Sequence, residues 1–166
     1  MIKGVFSLNI RIIAVGKLKE EYISLGIEEF TKRLNSYCKL SIVEVPDEQA
    51  PEHLSGKELQ LIKEREGEKI LTKIKRDDYV IALDIGGKSL SSEQFAREME
   101  QISFAGKNQI CFIIGGSNGL GDNILRRAND KLSFSKMTFP HQLMRFILLE
   151  QIYRAFKIQR GEPYHK

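Results

Sequence analysis

Hydrophobic positions along this chain alternate between two periods. Short continuous runs rich in β-branched residues predict strands, and apolar residues three and four apart predict helices between them. Leu8–Val15 is such a run and ends at Gly16. Ile23, Ile27, Phe30 and Leu34 then recur at helical spacing, which predicts a helix over Glu20–Asn35. Leu40–Val45 reads as a second strand, stopped by Pro46 because proline cannot donate to a ladder. After the polar stretch Asp47–Gly56, residues Leu59, Ile62, Ile70 and Ile74 mark one face of a charged helix within Lys57–Lys75. Tyr79–Leu83 predicts a third strand, followed by the turn Asp84-Ile85-Gly86-Gly87-Lys88. Ser91 and Gln94 have the spacing of a capping box and open a helix running to Ile102. Gln109–Ile114 is the most continuously apolar run, as a strand covered on both faces requires. A short helix from Asp122, a strand near Leu132–Thr138 and a long helix from His141 complete the chain. This alternation builds an α/β domain with a largely parallel sheet and helices on both faces.

Ligands in open α/β sheets bind where strands end at their carboxyl side. Three such ends carry loop chemistry: the turn after Leu83, the run Gly115-Gly116-Ser117-Asn118-Gly119-Leu120-Gly121 after Ile114, and Ser135-Lys136-Met137-Thr138-Phe139-Pro140. Glycines there let a ligand approach bare backbone. The same residues also make ordinary tight turns, and the pattern alone leaves both readings open. A phosphate-binding P-loop is excluded, because Ala82 stands where Ala82-Leu83-Asp84-Ile85-Gly86-Gly87-Lys88-Ser89 would need its first glycine. A dinucleotide fingerprint is excluded too, since Val15-Gly16-Lys17-Leu18-Lys19 holds a single glycine. His53, His141 and His165 lie in three different contexts without a serine or cysteine nucleophile beside them, and no metal-ligand spacing occurs. Chemistry here rests on a reactive bound cofactor and on positioning.

A length of 166 residues fits one domain with its own core. Hydrophobic and charged contents of 42% and 29% match a soluble globular protein. No apolar stretch approaches the ~20 residues that span a bilayer, and Met1–Ser7 lacks a signal peptide's cleavage pattern. Cys38 and Cys111 form neither a disulfide framework nor a metal site. The expectation is a cytoplasmic protein with no membrane and no metal partner. Charge is unevenly spread: Arg126–Lys166 holds nine Lys/Arg and three acids, a balance of +6 within a chain of net +4. That is either a nucleic-acid footprint or a solvated helix surface. On the last helix, Phe146, Leu149, Tyr153 and Phe156 form a stripe that Leu143, Ile147, Leu148, Ile152 and Ala155 widen. So broad a stripe points to a partner copy or to deep burial in the monomer.

Four segments together resemble the RlmH family: Phe112–Leu120, Leu132–His141, Glu150–Ala155 and the ending Pro163-Tyr164-His165. Ala14-Val15-Gly16-Lys17 and Val45-Pro46 extend the likeness, which runs from Asn9 to the C-terminus. This family consists of SPOUT-class methyltransferases that modify pseudouridine in large-subunit ribosomal RNA. The resemblance implies a parallel-sheet SPOUT fold with a C-terminal trefoil knot, a homodimer, and S-adenosyl-L-methionine as cofactor. It implies methyl transfer to N3 of a pseudouridine in 23S rRNA, with the assembled 70S ribosome as partner. The cofactor residues it implies are Leu83, Gly115, Gly116, Ser135, Lys136, Met137, Thr138, Phe139 and Pro140. Arg154, Tyr164 and His165 are the candidates for holding RNA and for the catalytic step, His165 as a phosphate contact or as a base for the N3 proton.

The family begins with a methionine near Leu8, so residues 1–8 read as a flexible N-terminal extension and 9–166 as a single SPOUT methyltransferase domain. Two alternatives to the enzyme remain at this point. One is a non-enzymatic ribosome- or RNA-binding α/β module, which intact Gly115-Gly116 and Ser135–Pro140 disfavour. The other is a small-nucleotide-binding regulator, disfavoured by the missing nucleotide motifs.

Overall fold

The computed structural model describes residues 7–165, so most of the expected N-terminal extension and Lys166 lie outside it. Five strands, β1 (Asn9–Val15), β2 (Lys39–Val45), β3 (Tyr79–Ser89), β4 (Gln109–Ile114) and β5 (Asp130–Ser133), alternate with helices α1 (Glu21–Leu34), α2 (Gly56–Leu71), α3 (Ser92–Phe104), α4 (Asp122–Arg127) and α5 (His141–Arg160). All strand pairs are parallel, in the order β2-β1-β4-β3-β5. The pleat divides the core in two. Ile10, Ile12 and Ala14 of β1 pack with α1, α3 and α5, whereas Ile13 and Val15 pack with Ile70 of α2 and Ile124 of α4. β4 is central, and Ile110–Ile114 are all buried. Leu8 is buried as well, and its carbonyl accepts the Lys39 N–H at 2.9 Å, so it packs with the sheet.

Most elements lie where periodicity places them, and the capping box of α3 has both expected bonds, Ser91 to Gln94 and back. Three boundaries differ for physical reasons. Helix α2 ends at Leu71, leaving Ile74 in the following turn. The expected turn after Leu83 is instead a bulge inside β3. Pairing with Leu132 shifts from Leu83 to Lys88, and Ser89 pairs with Ser133. β5 is shorter than the run Leu132–Thr138 because serines draw its end out of the ladder. Ser133 Oγ donates to the Ser135 carbonyl at 3.1 Å, and Ser135 Oγ accepts the Met137 N–H at 2.9 Å.

The wide stripe on α5 is resolved partly by burial: Leu148, Leu149, Ile152, Tyr153, Ala155 and Phe156 are all buried within one chain. Leu143, Phe146 and Ile147 remain half-buried, and Tyr22 and Leu25 on α1 are exposed at 67% and 58%. Cys38 and Cys111 are core residues, and burial pushes both thiols up to about 12, so neither is a thiolate near neutral pH.

At the amino ends of the strands, buried Asp78 accepts Arg11 Nη1 at 2.6 Å and the Lys75 N–H at 2.7 Å. Asp78→Ala leaves that amide without a partner. It is expected to cost about 2 kcal/mol of unfolding free energy, to be read from urea denaturation midpoints.

Candidate active site

A cavity of about 280 Å³ opens where β3, β4 and β5 end, near the lower limit for small-molecule pockets. Leu83, Ile114, Leu120, Leu132, Phe134, Phe139 and Met144 line it with apolar surface, and Gly115, Gly116 and Gly119 contribute bare backbone. Folding thus brings together the three segments singled out from sequence, two as loops after β4 and β5 and one as the bulge within β3. Seven of the nine expected cofactor residues line the cavity: Leu83, Gly115, Gly116, Ser135, Met137, Thr138 and Phe139. Lys136 and Pro140 do not; both are exposed, and Pro140 is the residue from which α5 starts.

Side chains on the glycine wall would be crowded at Gly115 and Gly116 and strained at Gly119. Gly119 donates to the Gly116 carbonyl at 3.1 Å and holds φ at 81°, a value that glycine adopts without strain. A Cβ on Gly116 would lie 3.0 Å from Val15 Cγ1, and one on Gly115 would lie 3.1 Å from the Gly119 carbonyl carbon. A backbone cradle facing apolar side chains suits a flat heterocycle whose polar edge bonds to main chain. The lining holds one carboxylate, Asp84, which would suit the positively charged methionine part of S-adenosyl-L-methionine, the cofactor the resemblance implies. The residues present fit that cofactor.

Ile85 and Ser117 also line the cavity, within loops singled out from sequence, whereas His141 and Met144 were not read as site residues. His141 and Met144 begin a helix directly after a site loop, three residues apart on one face. That spacing was the available signal. Burial, with the Arg145 charge beside it, lowers the pKa of His141, so it presents a neutral imidazole to the cavity at neutral pH. Arg145 is itself buried; it donates to Glu44 Oε2 at 2.7 Å and to the Gly16 carbonyl at 3.2 Å. These bonds pin the start of α5, and the loop before it, to the ends of β1 and β2.

Arg154, Tyr164 and His165 also come together, but elsewhere. Arg154 donates to Glu150 Oε1 through Nε at 3.1 Å and Nη2 at 2.6 Å, and its guanidinium stacks 4.7 Å from the Tyr164 ring centroid. Tyr164 Oη donates to the same Glu150 oxygen at 3.0 Å; burial, then that bond, raises its pKa and keeps it a phenol. His165 Nδ1 lies 3.1 Å from Arg154 Nη1, and Nε2 lies 2.6 Å from Glu93 Oε1. Arginine only donates, so Nδ1 accepts, and Nε2 carries the proton given to Glu93. Both ring nitrogens thus have partners within the chain. Met144 of the cavity and Arg154 are ten residues apart on α5, about 15 Å along its axis.

The basic residues of α5 are not a bare cationic face. Arg145 pairs with Glu44, Arg154 with Glu150, and Lys157 with Glu162 at 2.7 Å, while Arg160 stacks 4.4 Å from the Tyr37 ring centroid. Glu150 and Glu162 are already counted in the +6 balance of the C-terminal segment, and Glu44 takes up one further charge by pairing with Arg145. No group of three or more His, Cys, Asp or Glu suited to a metal ion occurs among the described residues, nor any helix long and apolar enough to cross a membrane.

A parallel sheet with a glycine-walled pocket at its strand ends, followed by a long closing helix, matches one family along nearly the whole chain. The family model described as "Predicted SPOUT methyltransferase" covers residues 8–165, and the chain belongs to the SPOUT methyltransferases. Within that class it is 62% identical over 159 residues to a Clostridioides difficile protein named Ribosomal RNA large subunit methyltransferase H, covering 96% of this chain and 100% of that one. The Bacillus pumilus protein of the same name is 58% identical over the same shares. Among solved structures, a probable methylase family protein from Haemophilus influenzae superposes with a TM-score of 0.54 at 14% identity, over 96% of this chain and 71% of that one. A putative methylase family protein from Neisseria gonorrhoeae gives 0.53 at 13%, over 100% and 90%. At those identities the structures speak to the fold alone.

Proposed function

We propose that this methyltransferase binds S-adenosyl-L-methionine in the glycine-walled cavity and methylates N3 of a pseudouridine in 23S rRNA within the assembled 70S ribosome. The observation that carries the reading is the convergence of the loops after β4 and β5 and the bulge of β3 on one cavity walled in part by the backbone of Gly115, Gly116 and Gly119. The names of its relatives support large-subunit ribosomal RNA as the substrate. Gly115, Gly116 and Gly119 would offer backbone to the adenine edge, and Leu83, Leu120 and Phe139 would cover its faces. Bound there, the cofactor supplies an already activated methyl group. The protein's own task is then to orient the base, exclude water and ease loss of the N3 proton. A family knot formed by the segment from β5 into α5, and a cytoplasmic location, belong to the same reading.

The reading includes a homodimer. Tyr22 and Leu25 are exposed on α1, Leu143, Phe146 and Ile147 are half-buried on α5, and the two helices meet where the Phe146 ring lies against Gly26. Packing through these residues would let one subunit's Arg154–Tyr164–His165 cluster serve the other's cavity, which its own cavity's distance along α5 disfavours. Arg154 would stabilise negative charge as N3 loses its proton.

Calorimetry with S-adenosyl-L-methionine is the first test; saturable binding to wild type that Gly116→Val abolishes is expected. The second mixes Gly116→Val and Arg154→Ala subunits, each inactive alone. Random mixing is expected to restore roughly a quarter of wild-type methyl transfer to ribosomes, one intact composite site in each mixed dimer. No recovery would show that pocket and tail act within one chain.

A further inference from the structure

Glu66 on α2 is 2% exposed and has no part in the chemistry described above. Its Oε2 accepts the Glu48 N–H at 2.9 Å, tying α2 to the segment after β2, while the buried Oε1 has no hydrogen-bond partner. The same Oε2 lies 3.9 Å from the position a Cβ on Gly116 would take. Around it, α2 is the support beneath the glycine loop. Asn123 of α4 lies against the bare Cα of Gly67 and donates to the Glu64 carbonyl at 3.0 Å, and a Cβ on Gly121 would meet the Lys63 carbonyl at 2.9 Å. A buried carboxyl with one oxygen unsatisfied is costly and does nothing for packing that leucine or methionine would not do better. Its position behind the cavity wall supplies a role.

We propose that Glu66 is a positioning residue of the methyl-transfer site, bracing the Gly116 loop and the Asp47–Glu48 segment against α2. This rests on the cavity being the cofactor site. The brace works best with the carboxyl protonated, when no buried charge is left half-paired. Burial raises its pKa, opposed by the Glu48 N–H; the charges of Asp47 and Glu48 raise it further, and that of Lys69 lowers it. Lys69 is engaged elsewhere, with Glu48 at 2.9 Å. The folded protein thus binds this proton more tightly than the unfolded chain does. The stabilisation is complete at low pH and is lost as pH rises through the folded-state value.

Glu66→Gln keeps the shape and the acceptor for Glu48 but cannot ionise, whereas Glu66→Ala removes the brace. All three proteins are compared by amide hydrogen exchange and by S-adenosyl-L-methionine titration between pH 5 and pH 9, at a temperature where circular dichroism shows each fully folded. In Glu66→Ala, amides of residues 115–121 and 47–48 are expected to exchange roughly tenfold faster at every pH, the worth of one lost hydrogen bond. Cofactor KM is expected to rise by about the same factor with kcat nearly unchanged. Above pH 7, where His141 is neutral in every variant, wild-type affinity is expected to weaken as pH rises and that of Glu66→Gln to stay flat. Equal exchange in all three proteins, or one shared pH profile for wild type and Glu66→Gln, would overturn the proposal. Faster exchange in Glu66→Ala with no cofactor binding by wild type would instead uphold the brace and refute the cavity's assignment.

Discussion

Arg154→Ala is expected to slow methyl transfer to ribosomes by about 100-fold, the scale of a misplaced catalytic constellation, with S-adenosyl-L-methionine affinity nearly unchanged. The guanidinium is the hub of the tail. Two of its nitrogens bond Glu150, a third bonds His165, and its face carries the Tyr164 ring. Alanine leaves Glu150 with Tyr164 and Gln151 alone and releases the imidazole from its fixed tautomer. Arg154→Lys is expected to recover little, because a single ammonium cannot bond Glu150 and His165 while stacking on a ring. Labelled-methyl incorporation into ribosomes and cofactor calorimetry, run on the same preparations, check both halves. A normal rate would remove the tail from the active site.

The second large effect is on folding. Gly87→Ala places a Cβ 2.6 Å from the Leu132 nitrogen and 2.7 Å from the Lys131 carbonyl carbon. Those are backbone atoms of the paired strand and cannot rotate away. Relief requires opening the β3–β5 pairing after the bulge, at a cost of about 3 kcal/mol. A melting temperature lower by roughly 6–12 °C is expected for a domain of this size. Leu132 and Ser133 line the cavity, so cofactor affinity should fall with it. Gly86→Ala is the control: its Cβ would meet only the Asp84 carboxylate, at 3.1 Å, which can swing aside. Scanning calorimetry of the pair separates crowding from any general intolerance of side chains in the bulge.

Both predictions concern places where sequence and structure part company. Gly86-Gly87 reads as a turn because two glycines after an apolar run usually make one. The strand resumes instead, since β5 arrives to pair with Lys88 and Ser89. Which of two glycines touches that neighbour depends on a strand more than 40 residues away, so no local pattern reports it. The cations of α5 mislead for the same reason. Counted along the chain they form a basic segment, but Glu44, on β2, meets Arg145 only once the helix is packed. His165 is a free titratable group in sequence; in the fold, Arg154 and Glu93 occupy both ring nitrogens.

Local physics was sufficient for much else. Strand and helix identities, the parallel sheet, the α3 capping box and the three loops at strand ends follow from periodicity, capping and turn chemistry, which act over a few residues. The long C-terminal motifs carried the family. Tertiary structure decided the rest: that the loops after β4 and β5 share one cavity with the bulge of β3, that His141 and Met144 complete it, that Arg145 pairs with Glu44, and that Glu66 is buried behind Gly116 with an oxygen unsatisfied. Each of these depends on contacts between residues distant in the chain. Such contacts are set by how the faces of helices and sheet pack, not by the period of any one segment.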